Sequence, residues 1–234
     1  MNIDLSDANL TSLDLANANL HRANLNGCDL SRCDLRNASL RFASLKGAAL
    51  GRGQLQSADL AGANLAEADL TGANLKWCRL QPASLRGANL ATADLSDTEL
   101  IETDLEGANL RGANLTQATL QLTLLRGTLL DDETRIDARW RLVIQVLNNG
   151  AAGVNLVRAN FNHAALANAN LQRADLSHAT LLGADLSGAN LKSAILANAD
   201  LRHANLNGAD VTARQLADAK SIAGATLPDG TKPG

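Results

Sequence analysis

The 234-residue chain has no tyrosine and only two phenylalanines and two tryptophans. A globular core normally interlocks large, varied side chains, so an ordinary core of that kind is excluded. No apolar run approaches the roughly 20 residues a membrane-spanning helix needs. No basic segment followed by an apolar run stands at Met1-Asn2-Ile3-Asp4-Leu5. No signal peptide is therefore expected, and the cytoplasm is the default location. Nor does either charge dominate: 21 Lys and Arg stand against 24 Asp and Glu, a net −3. That balance gives no overall pull towards nucleic acid or an anionic membrane.

What the chain does have is leucine at every fifth residue from Leu5 to Leu130, 26 in succession. Two places before each leucine (i−2) stands mostly alanine, and one place before (i−1) mostly Asp or Asn. The unit reads A-(D/N)-L-x-x, as in Ala58-Asp59-Leu60-Ala61-Gly62. Such a short repeat takes precedence over any domain count from length. Neither a helix nor a continuous strand keeps every fifth residue on one side over this span. A short extended piece followed by a bend does. In that piece i and i−2 share a face, so leucine and alanine point inward, Asp or Asn points outward, and i+1 and i+2 form the bend. Each repeat is then one side of a coil. Glycine marks bends that need positive φ. Of the eight i+2 glycines in this block, five (Gly27, Gly47, Gly87, Gly107 and Gly127) fall in one column of period 20. A period of 15 scatters them. Four sides per coil follow, and block 1–130 makes about 6.5 coils, or a rod of about 31 Å at about 4.8 Å per coil.

The A-(D/N)-L-x-x tandem resembles the pentapeptide-repeat proteins, and the resemblance covers most of the chain. It implies an all-β solenoid, a right-handed quadrilateral β-helix; the handedness comes from the resemblance alone. The pattern breaks over 131–153. There Ile136, Trp140, Val143 and Leu147 recur at helical spacing, Asp131-Asp132-Glu133 lead, and Asn148-Asn149-Gly150 follow. These signals predict a helix over about 133–148. The segment Ile136 to Arg141 resembles the helical excursion of cyanobacterial members and suggests a cyanobacterial source. The repeat resumes in a new phase over 154–211, from Leu156 and Phe161 to Val211, as about three more coils of the same interior. In 212–234, Thr212 and Gln215 have the spacing of a capping box. A short helix to about Lys220 is expected there, with Leu216 and Ile222 inward, covering the last coil before a turn at Pro228-Asp229-Gly230 and a tail.

The interior variants fit the scheme. Leu13 at i−2 is expected to plug the first coil, and Thr98, Thr103, Thr123 and Thr128 place hydroxyls where backbone carbonyls lie. Cys28, Cys33 and Cys78 also stand at i−2, where a small thiol suits an alanine site. No histidine points inward to complete a zinc site. His21, His163, His178 and His203 all fall on bends, and His163 and His203 share a column with Gly183 between them, too far apart for one ion. No nucleophile has a base beside it on one face. The expectation is a non-enzyme with no cofactor and no metal.

Partner surfaces are sought where regularity fails. Between residues 21 and 57, Arg22, Arg32, Arg36, Arg41, Lys46 and Arg52 face only Asp29 and Asp34. Further on, Asp94, Asp97, Glu99, Glu102, Asp104 and Glu106 form a run that includes no base and circles one coil as a belt. Some bacterial members of the resembled family bind DNA gyrase by mimicking DNA, with acid running along the rod. A belt beside basic N-terminal coils argues against that, and gyrase or topoisomerase binding stands as the alternative. Phe42, Pro82 and Leu122 line one outer edge, with Trp77 at the adjacent corner. Exposed apolar rows mark packing or a partner. The helix is expected to dock over Leu122, Leu124 and Leu129. Phe42, Trp77 and Pro82, with the acidic belt, form the candidate partner surface. The expected function is a rigid binding or scaffold protein whose partner is another protein, with neither nucleic acid nor membrane, and with a homodimer through an uncapped N-terminal coil end as a further expectation.

Overall fold

Each pentapeptide contributes one bridge residue; every bridge is parallel, and in the regular ladder it joins positions 20 apart: Asp4 to Asn24, Asn24 to Ser44, Ser44 to Asn64. Four pentapeptides therefore close one coil. This is a computed structural model; it describes residues 3–233, in two compact units, Met1–Asp137 and Ala138–Gly234.

In the first unit three backbone bonds tie a typical side to the next coil. The Leu5 amide donates to the Asn24 carbonyl (2.8 Å), the Asp7 amide to Asn26 (2.9 Å), and the Asn24 amide back to Ile3 (2.8 Å). Within the side, Ala8 N–H closes the corner onto Leu5 C=O at 3.1 Å. The i+2 residue of such a corner has positive φ, whether it is Gly27 (65°) or Arg32 (60°). Left-handed backbone is thus general to these corners, and glycine marks only some of them. From Leu25 to Leu110 every leucine of the ladder is fully buried. Leu13, expected to plug the first described coil, keeps 45% of its surface exposed.

The inward polar residues share one bond. Cys28, Cys33 and Cys78 donate their thiols to Leu5, Leu10 and Leu55 C=O at 2.6, 2.8 and 2.9 Å. Thr103, Thr123 and Thr128 donate to Leu80, Leu100 and Leu105 C=O at 2.8, 2.7 and 3.1 Å. Each acceptor belongs to the coil before and already receives a corner amide, so the side chain uses the second lone pair. Thr98 differs, bonding Leu95 in its own coil at 2.7 Å.

The outward Asp and Asn at i−1 are more than a solvated wall. Their Oδ1 accepts the amide two places on, as Asp14 does from Ala16 (3.0 Å), Asn64 from Ala66 (3.1 Å) and Asp185 from Ser187 (3.0 Å). This Asx bond satisfies an amide that faces out of the corner. Where i−1 is Ser44 or Thr180, an asparagine of the coil before supplies the oxygen. Asn26 Oδ1 takes the Lys46 amide and Asn162 Oδ1 the Leu182 amide, both at 2.9 Å.

After Leu130 the structure departs from the expected helix start. Thr134 and Arg135 continue the coil: Arg135 bridges to Asn114, one place beyond the regular spacing, and buried Thr134 bonds Leu110 C=O at 3.0 Å. A single extra residue has been added to the bend. Asp131 absorbs it, since its Oδ1 takes both the Thr134 amide and the Gly112 amide at 2.9 Å. The Gly112 bond replaces one that a backbone carbonyl makes elsewhere. The acidic residues read as a helix N-terminus therefore belong to this bend, and the helix has no acid in its first turn. Ile136 falls outside the helix, half-buried at the leucine position of the added side. Leu124 and Leu129, expected to be covered, each keep 41% of their surface exposed.

The second unit opens with α1, Ala138–Asn149, in which Trp140, Val143, Ile144, Val146 and Leu147 are buried. Gly150, at φ 71°, ends it by donating to Val146 C=O at 3.0 Å, as the Asn-Asn-Gly sequence predicts. Bridges 20 apart then run from Asn155–Asp175 to Asn190–Asp210. The predicted helix α2 spans Ala213–Ala217 rather than reaching Lys220, and both bonds of the capping box between Thr212 and Gln215 are present. Gln215 Nε2 also donates to Leu191 and Ala194 C=O at 2.8 and 2.9 Å. The ladder does not stop at Val211: Ser221 bridges Asp200 and Thr226 bridges Asn205, again one place beyond the regular spacing, and Ala225 is fully buried.

Two substitutions separate the inner and outer contributions. Leu65→Ala is expected to lower stability by about 2–5 kcal/mol through a cavity. Asn64→Ala, which frees the Ala66 amide, is expected to lower it by about 1 kcal/mol. Urea unfolding of both variants checks the ranking; equal losses would contradict it.

Candidate functional site

Side chains at the corners project from a backbone that the ladder holds fixed. The corner column through Arg22, Phe42, Gly62 and Pro82 is the most unusual. Phe42 takes φ 56° and is 51% exposed. Its ring lies over Gly62, where any Cβ would collide with the ring carbons. His21 meets the ring edge-on at 5.9 Å between centroids. The Arg22 and Arg41 guanidiniums lie 5.9 and 5.5 Å from its centroid. Pro82, exposed two coils further along this corner, has no amide to give to the next coil. At the neighbouring corner Trp77 takes φ 60° and is 55% exposed, with the Lys76 ammonium 4.4 Å over its ring. Phe42, Pro82 and Trp77 thus lie on one side of the first unit, without stacking into a single cluster.

The acidic belt is answered from the coil before it. Lys76 reaches Asp97 at 3.7 Å, Arg79 reaches Glu99 at 3.6 Å, and Arg86 pairs with both Asp104 (3.7 Å) and Glu106. Asp94 accepts from Ser96 N and Asn114 Nδ2, both at 3.0 Å. Burial alone would raise the Asp94 pKa, but these hydrogen bonds and nearby Lys76 hold it below the usual carboxylate value. Glu102 is exposed. The run thus meets bases that are distant in sequence but only one coil away in space. Exposed pairs of this kind stabilise by about 0–1 kcal/mol, and they cancel much of the field a belt would project.

The basic stretch is only half answered. Arg36 pairs with Asp34, Arg41 with Asp59 and Lys46 with Glu67. Among the described residues Arg22, Arg32 and Arg52 have no carboxylate within ion-pair distance.

The three thiols are separate, fully buried and bonded to carbonyls. Burial raises all three, and Cys78 is pushed up to about 12. His163 and His203 lie over the glycines of the following coil, Gly183 and Gly224. Among the described residues no three His, Cys, Asp or Glu groups are placed to hold a metal ion. Nor is any helix among them long and apolar enough to cross a membrane. A shallow groove of about 470 Å³ follows another corner past Gly87, Gly107 and Gly127, edged by Arg86 and Glu106. Those two side chains already pair with each other.

A family profile described as pentapeptide repeats matches eight copies, over residues 3–41, 14–52, 50–87, 88–132, 155–192 and 184–213. Among solved structures the chain is similar to HetL, a pentapeptide repeat protein involved in heterocyst differentiation regulation from the cyanobacterium Nostoc sp. strain PCC 7120. The identity is 33%, over 99% of this chain and 92% of that one, with a TM-score of 0.23. It is also similar to QnrB1, a plasmid-mediated fluoroquinolone resistance protein, at 15% identity over 95% of this chain and 94% of that one, TM-score 0.37. A third is AT2G44920, a pentapeptide repeat protein from the Arabidopsis thaliana thylakoid lumen, at 29% identity over 56% and 82% of the two chains, TM-score 0.26. Comparison with curated protein sequences returns no match.

Because Cys78 is a buried, neutral thiol, it is expected not to react with a thiol-specific reagent at pH 8 in the folded chain and to react fully in denaturant. Mass spectrometry of the modified Cys78 peptide checks this; rapid native modification would place the side chain outside the interior.

Proposed function

Since the chain belongs to the pentapeptide-repeat family, whose proteins fold as right-handed quadrilateral β-helices, we propose that it is a non-enzymatic scaffold that binds another protein through the Phe42 and Trp77 corners. One observation carries the reading: two large aromatic residues stand more than half exposed at neighbouring corners of the first unit. Their left-handed backbone costs a side-chain-bearing residue about 1–2 kcal/mol, and glycine meets it freely at neighbouring corners. Left-handed backbone is general to these corners, so it is the exposed aromatic surface that sets these two apart. Tryptophan and arginine are enriched at binding hot spots, and phenylalanine is enriched at interfaces. Pro82 extends the surface, while the belt from Asp94 to Glu106 serves as its polar margin.

DNA mimicry at gyrase is the weaker reading. It needs negative charge running along successive coils, and Lys76, Arg79 and Arg86 interrupt that charge in the first unit. A supercoiling assay with gyrase and a fluoroquinolone is expected to show neither inhibition nor protection.

Substituting glycine tests the main reading without breaking the fold. Trp77→Gly removes one exposed cation–π contact, about 0.5–1 kcal/mol, and relieves about 1–2 kcal/mol of backbone strain. Stability should therefore stay level or rise slightly. Phe42→Gly loses more contacts and should change stability by less than about 1 kcal/mol either way. Both variants are expected to lose partner proteins that the unsubstituted chain captures from lysate of its source organism. If both keep those partners at undiminished yield, the corners are not the binding surface.

A further inference from the structure

Arg22 and Arg41 both approach the Phe42 ring, but their charges are used differently. Arg41 is tied to Asp59 at 3.2 Å. Arg22 has the ring and no carboxylate within ion-pair distance among the described residues. His21 stands on the third side of the ring. The ring itself is seated: the Phe42 amide donates to Ala61 C=O at 3.0 Å, and the Gly62 backbone supports one flank. An exposed apolar plate, held still and bordered by a guanidinium without a counter-ion, complements a ligand that is both apolar and negative.

We propose that the Phe42 corner docks an acidic segment of a partner protein, with a carboxylate on Arg22 and an apolar side chain against the ring. This rests on the scaffold reading above and names the partner's chemistry. The charge along the unit favours such a segment over nucleic acid. The first unit as a whole carries 12 basic against 18 acidic residues. The coil before Arg22 holds Asp4, Asp7 and Asp14 without a base, and the coils from Asp94 onward are acidic again. A polyanion running along the coils leaves the basic zone at both ends, whereas a short segment crossing one corner stays within it. Arg32 and Arg52 also lack ion pairs, but they occupy the diagonally opposite corner, two sides away, and cannot reach the same ligand.

The test uses the full chain and three fluorescein-labelled probes at physiological salt: a peptide of repeating Glu-Glu-Leu, its Lys-Lys-Leu counterpart, and oligo-dT. The acidic peptide is expected to bind, and the basic peptide is not. Phe42→Gly and Arg22→Ser are each expected to weaken acidic-peptide binding by at least about tenfold, as loss of a hot-spot residue does. Arg32→Ser, an equally unpaired arginine, is expected to leave it unchanged. The proposal is overturned if the acidic peptide does not bind, if Phe42→Gly binds it as well as the unsubstituted chain, or if Arg32→Ser weakens it equally. Tighter binding of oligo-dT than of the peptide would assign the corner to nucleic acid and also overturn it. If Phe42→Gly loses its captured protein partners but the acidic peptide never binds, the scaffold reading stands and the acidic-segment proposal falls.

Discussion

The structure depends on the bond from each ladder leucine amide to a carbonyl of the next coil, with the leucine side chain buried at the same time. That pairing sets the coil at four pentapeptides and aligns the corners one above another. It also leaves each corner two residues in which to turn, and left-handed backbone at the second of them completes the turn. With the backbone so constrained, the choice of residue at each position has a local reason. Alanine, cysteine or threonine fits at i−2 because the space is small and a leucine carbonyl has a lone pair to spare. Asp or Asn suits i−1 because an outward amide two places on needs an acceptor.

A frame of this kind separates support from recognition. Inward positions have almost no freedom, since each side chain meets its equivalents above and below. Corner positions have nearly complete freedom of side chain on a backbone tied by the hydrogen bonds of the ladder. Recognition can therefore be assigned to corners without harm to the interior, apart from the strain of holding a bulky residue at positive φ. Phe42 and Trp77 stand in that conformation with cations beside their rings.

Much of this is legible in the sequence. The number of sides, the inward leucines, the alanine-like role of the cysteines and the capping box at Thr212 follow from spacing and size alone. The unanswered acidic run misleads because charge is weighed along the chain, whereas Arg79 and Glu99 meet across a full coil. The Asx bonds escape a sequence reading because an outward Asp or Asn looks like solvated surface until its neighbour's amide is placed. Helix α1 is expected too early because Asp131 and Glu133 carry the composition of a helix start. In fact the Asp131 carboxylate stands in for a missing backbone carbonyl. Partner identity is not legible at all, because the periodic residues point away from any partner.

The single extra residue near Asp131, and its counterpart at α2, also bears on how such a chain can change length. At both places the register shifts by one and the ladder resumes with the same faces inward, because side-chain oxygens or amides complete the bonds the backbone misses. These are joints. Whole coils of four pentapeptides can be added or removed anywhere along the ladder without a change of register, whereas an odd insertion away from these joints would swap interior for exterior along a whole side. An insertion that is not a whole coil is therefore accommodated only where a side chain takes over a missing backbone bond, as at these joints.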